Sequence, residues 1–113
     1  IARLVLREKG VAHGWQEVDP FSPNVPDQYR ALHPFGRVPV LVHGDFMLYE
    51  TSAIARYVDE AFSGPALQPE GARGRARMQQ IVSVVDSYAY RPLVRQVYAH
   101  RVFRPRLVVN SAT

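Results

Sequence analysis

The chain has 113 residues, 47% of them hydrophobic and 21% charged, with a formal net charge of +4 and no cysteine. That length holds one small domain or pieces of two, and the missing cysteines exclude disulfide frameworks, zinc–thiolate sites and cysteine nucleophiles within these residues. No run approaches the roughly 20 apolar residues needed to span a bilayer. From Arg73 onward the arginines are spread at helical spacing among apolar residues, with no basic run interleaved with stacking aromatics. A solvated helix face therefore fits them better than a nucleic-acid site. Neither a membrane nor a nucleic acid is expected as a partner, no metal site is expected, and a cytoplasmic protein fits.

In chain order, Ile1–Lys9 reads as a helix with Ala2, Leu4 and Val5 on one face and Gly10 as its stop. Gly14–Val18 alternates like a short strand that Asp19–Pro20 ends. After the Pro-rich "FSPNVP", the stretch "PDQYRAL" fits one or two helical turns with Tyr29 and Leu32 facing inward. Two strands, Val40–Val42 and Phe46–Tyr49, flank His43–Gly44–Asp45 as a β-hairpin. Pro39 stands directly before the first of them, and proline has no N–H for a sheet ladder. Thr51–Phe62 is a helix with an apolar stripe of Ile54, Ala55, Val58, Ala61 and Phe62, stopped by Ser63–Gly64–Pro65.

Residues 64–71 have the composition of a linker, which suggests a first domain at 1–63 and a second at 72–113. In the second, Ala72–Arg91 repeats apolar residues near a 3.6-residue period, Pro92 should kink or restart the helix, and Leu93–Phe103 continues it. The closing "LVVNSAT" continues no helical pattern, and both ends of the chain read as cut. The order helix–strand–helix–strand–strand–helix also implies a strand ahead of Ile1, because a parallel strand at Gly14–Val18 must be reached by a crossover.

Two segments carry a family resemblance. "HPFGRVPVL" (His33–Leu41) resembles an N-P-x-G-x-V-P-x-L segment, with histidine where asparagine is usual, and "LYETSAIARYVDEAF" (Leu48–Phe62) resembles L-x-E-S-x-A-I-x-x-Y-L. In this order and spacing they resemble the cytosolic glutathione transferases, specifically bacterial transferase-like members. The resemblance implies an α/β thioredoxin-like domain lacking its first strand, followed by the start of an all-α C-terminal domain. It implies glutathione as co-substrate, a small hydrophobic electrophile as second substrate, a homodimer, and conjugation of the glutathione thiol as the reaction. A binding or stress-response protein without turnover is the alternative.

The same resemblance assigns residues. Pro39 matches a position with a cis peptide bond, whose turn leaves the Val38 N–H and C=O free to pair with the glutathione backbone as a short β-augmentation. Otherwise Pro39 merely blunts an edge strand. Thr51 would cap its helix and meet the γ-glutamyl carboxylate, with Glu50 receiving the neighbouring ammonium; the plain alternative is an ordinary N-cap with an acidic neighbour. Arg37 is the candidate for the glycyl carboxylate, against a merely solvated arginine. His33 is expected to pack or cap locally. Asp86 could reach a partner's ligand or serve on the helix surface or in a buried pair, and Tyr88, Tyr90 and Tyr98 could line an electrophile pocket or pack in a core. The residue that activates the thiol is expected before Ile1, so the chain by itself is expected to be inactive.

Overall fold

A computed structural model describes residues 1–103, which divide into a unit spanning Ile1–Gln68 and a second unit from Pro69 onward. In the first unit α1 spans Ala2–Lys9 and α2 spans Asp27–Leu32. Strands β1 (Val40–His43) and β2 (Phe46–Tyr49) follow, and then α3 (Thr51–Ala61). The strands form an antiparallel pair, with Val40 opposite Tyr49 and His43 opposite Phe46. Gly44, at the first position of the intervening turn, has φ 62°. That positive angle is what a tight hairpin turn demands of its first central residue.

The core is Leu6 of α1 with Ile54 and Val58 of α3, both fully buried, and Ala2, Val5, Val11, Leu41, Leu48 and Phe62 packed around them. Because strand residues alternate between faces, Leu41 and Leu48 turn the same side of the hairpin toward this cluster. Each large aliphatic side chain so buried contributes about 1.5–3 kcal/mol. Gly10 closes α1 with φ 75°, donating to Arg7 C=O while Val11 N–H reaches Leu6 C=O, the paired bonds of a left-handed helix stop.

The face that α1 buries is the expected one at Ala2 and Val5 but not at Leu4. Leu4 is 59% exposed, and the stripe toward α3 is Ala2, Val5, Leu6 and Lys9. Lys9, the chain's only lysine, lies in that stripe because Asp59 of α3 accepts its charge. Ala61, expected in the apolar stripe of α3, is exposed.

Gly14–Val18 is not a strand: no described strand lies beside it, the sheet has two strands, and its backbone joins no ladder. Periodicity gave that stretch an extended pattern, but a strand exists only where a neighbour pairs with it.

In the second unit, α4 (Gly71–Val84) begins one residue ahead of the expected Ala72. The chain then winds more widely, as π-helix, through Val85–Ala89 and Arg91–Phe103, with Tyr90 N–H reaching back to Val85 C=O. Pro92 falls at the start of the second wide segment, and having no N–H it contributes no helical donor. The final "LVVNSAT" lies outside the described residues. No helix among the described residues is long and apolar enough to cross a membrane.

Candidate functional site

The hairpin register brings two separated sequence segments to one end of the sheet. Val40 pairs with Tyr49, so Pro39 and Glu50 each stand one residue beyond that last pair. The Val38–Pro39 bond is cis, as the resemblance implies. Val38 is about half exposed, and neither its N–H nor its C=O has a hydrogen-bond partner among the described residues.

Glu50 has φ 75° and ψ 120° and is the one non-glycine residue of positive φ among the described residues. A conformation so sparsely populated costs on the order of 1–3 kcal/mol and persists only where the surroundings impose it. Here both neighbours impose it: Tyr49 ends β2 and Thr51 opens α3.

Glu50, not Thr51, is the N-cap. Its carbonyl accepts Ile54 N–H at 3.0 Å, Thr51 is already the first helical residue, and no side chain caps α3. Thr51 follows the conformational switch at Glu50, which moves the cap one residue ahead of the expected position. The first-turn amides of α3 are therefore left without side-chain acceptors, at the partially positive end of the helix. The exposed Glu50 carboxylate sits at the same junction.

Val38, Pro39 and Thr51 line one trough of about 980 Å³, whose wall also includes Gly14, Trp15 and Val18. Arg37 and Glu50 are exposed and do not line it. Among the described residues no cluster of His, Cys, Asp and Glu could hold a metal ion.

Behind this edge, α2 supplies supports that sequence reading placed only in general terms. The Tyr29 hydroxyl donates to Arg37 C=O, and burial pushes its pKa above the ordinary phenol value. His33 is buried; Phe35 N–H donates to its Nδ1 at 3.2 Å, and Gly36 N–H donates to its carbonyl at 3.0 Å. The His33 ring lies 4.7 Å from that of Tyr49, the residue before Glu50. His33 thus packs and caps locally, as expected. The signal for Tyr29 was available in the sequence: an inward tyrosine needs a partner for its hydroxyl where phenylalanine would not.

Asp86, Tyr88, Tyr90 and Tyr98 belong to the second unit and are exposed there.

A helix-flanked hairpin with a cis-proline before its first strand and a helix starting directly after its second is a thioredoxin-like arrangement. The sequence pattern of the family described as "Glutathione S-transferase, N-terminal domain" matches residues 2–66. The chain belongs to that family. It is 36% identical over 88 residues to a stringent starvation protein A homolog of Histophilus somni, covering 76% of this chain and 41% of that protein. It is 34% identical over 107 residues to glutathione S-transferase F10 of Arabidopsis thaliana, covering 92% of this chain and 49% of that one. A crystal structure of maleylacetoacetate isomerase from Methylobacterium extorquens AM1, with bound malonate and GSH, superposes with a TM-score of 0.65. It is 33% identical and covers 75% of this chain and 41% of that one. The chain thus spans less than half the length of these relatives.

Proposed function

We propose that this chain is the glutathione-binding part of a glutathione transferase. The observation that carries the reading is the Glu50 junction: a strained φ of 75° sets a carboxylate beside the uncapped start of α3. An α-amino acid head group carries one cation and one anion on adjacent atoms. Glu50 receives the ammonium of the γ-glutamyl residue, and the α3 amides with Thr51 receive its carboxylate. Val38 then pairs its free N–H and C=O with the peptide backbone that follows, as a strand edge takes an extended ligand. Arg37 meets the glycyl carboxylate at the far end. Membership of the family and the isomerase structure holding GSH support glutathione as the ligand.

In this reading the protein joins the glutathione thiol to a small hydrophobic electrophile, works in the cytoplasm and acts as a homodimer. The second unit is the start of its helical domain, with the division at residues 64–71. No residue present is assigned the thiol-activating role; the resemblance places that group ahead of Ile1. A second reading is a transferase-like binding or stress-response protein without turnover, and the name of the similar stringent starvation protein A homolog supports its stress-response part.

Retention of the intact protein on immobilised glutathione tests the site. The wild type should bind and elute with free glutathione, and Glu50→Ala should elute earlier. Equal retention of the two would overturn the head-group assignment.

A further inference from the structure

We infer that Tyr29 is the positioning residue that aims the Val38 amide at the ligand. The inference deepens the glutathione reading above and rests on it for the identity of the ligand. Three hydrogen bonds fasten Phe35–Val38 among the described residues: Phe35 N–H to His33 Nδ1, Gly36 N–H to His33 C=O, and Tyr29 hydroxyl to Arg37 C=O. The first two hold the start of the turn. The third is the one that touches the peptide unit between Arg37 and Val38.

That unit is trans, since the cis bond is the next one along. A trans peptide is planar, with its C=O and N–H pointing in opposite directions. Drawing Arg37 C=O toward Tyr29 on α2 therefore turns Val38 N–H away from α2. Residues 37 and 38 belong to no helix or strand, so no ladder orients this plane.

Tyr29 is itself held. Its N–H donates to Pro26 C=O at 3.0 Å, and its C=O accepts His33 N–H at 3.1 Å. The hydroxyl thus transmits the placement of α2 to a main-chain donor that has no hydrogen-bond partner of its own among the described residues. A ring without the hydroxyl would fill the same space and leave the 37–38 plane free to rotate.

The test is Tyr29→Phe in the intact, ¹⁵N-labelled protein, read at the Val38 amide and by titration with glutathione itself. The variant should shift the Val38 cross-peak and speed its hydrogen exchange, with an unfolding midpoint close to wild type. Glutathione affinity should fall about 3- to 10-fold, the usual effect of one hydrogen bond. An unmoved Val38 resonance would overturn the positioning role. So would unchanged glutathione affinity in a wild type that binds. If glutathione shifts nothing in the wild type while Tyr29→Phe still moves the Val38 amide, the orienting role of Tyr29 is supported and the glutathione reading is overturned.

Discussion

Lys9 Nζ lies 2.8 Å from Asp59 Oδ1, with the two side chains only 4% and 6% exposed. The pair ties the last turn of α1 to the last turn of α3. Asp59 also accepts Leu67 N–H at 2.8 Å on Oδ1, and Gln68 N–H and Nε2 at 3.1 and 3.0 Å on Oδ2. Lys9 donates in addition to Pro65 C=O at 3.0 Å. Two charges taken from water are tolerable only when their remaining hydrogen-bonding capacity is met. Here a segment with the composition of a linker meets it, so Pro65–Gln68 is fastened to the first unit.

Removing one partner should be costly, and unequally so. Asp59→Ala strands the Lys9 ammonium and leaves the amides of Leu67 and Gln68 unpaired. It should lower unfolding stability by about 3 kcal/mol or more. Lys9→Met should cost less, because a flexible thioether fills the stripe and Asp59 keeps three of its donors. Urea unfolding of the intact protein reads both. A Lys9→Met loss equal to or greater than that of Asp59→Ala would contradict the leading role given to Asp59.

Acid should find the same carboxylate. Lys9 first, then the Leu67 amide, with Gln68 adding to them, hold Asp59 well below the usual carboxylate range against the opposing effect of burial. A carboxyl whose folded pKa is depressed binds fewer protons folded than unfolded, so stability rises with pH across that interval. The contribution is complete above the ordinary aspartate value of about 4 and drains away as pH falls below it. Unfolding midpoints from pH 6 to pH 2 should fall for the wild type and fall less for Asp59→Asn. Parallel profiles would show that other carboxylates dominate the acid limb.

These bonds mark what could be read from the sequence and what could not. The hairpin, α3 and the cis-proline turn were legible because periodicity, turn glycines and a motif are local signals. Ile54 and Val58 were rightly placed in the core by their spacing. Lys9 was not, because a charge on a helix reads as solvated until its partner is known, and Asp59 lies 50 residues away. Gly14–Val18 failed for the matching reason on the backbone: alternation describes a residue's faces, while a ladder needs a second strand. Thr51 was off by one because the left-handed turn of Glu50 shifts the helix start, and nothing in "YET" announces a positive φ.

That turn yields the last prediction. Glu50 occupies φ 75°, a region where a side chain is strained and glycine is not. Replacing Glu50 by alanine removes the carboxylate and keeps the strain, whereas Glu50→Gly removes both. If the strain is imposed by the β2–α3 junction, Glu50→Gly should be the more stable variant by about 1 kcal/mol, despite the greater freedom glycine gives the unfolded chain. Both should lose retention on immobilised glutathione to the same extent, since neither offers an anion to the ammonium. Thermal unfolding alongside glutathione retention separates the two effects. A Glu50→Gly protein less stable than Glu50→Ala would mean the junction does not hold the strain. A Glu50→Gly protein that still binds like wild type would mean the carboxylate is not why a glutamate is held there.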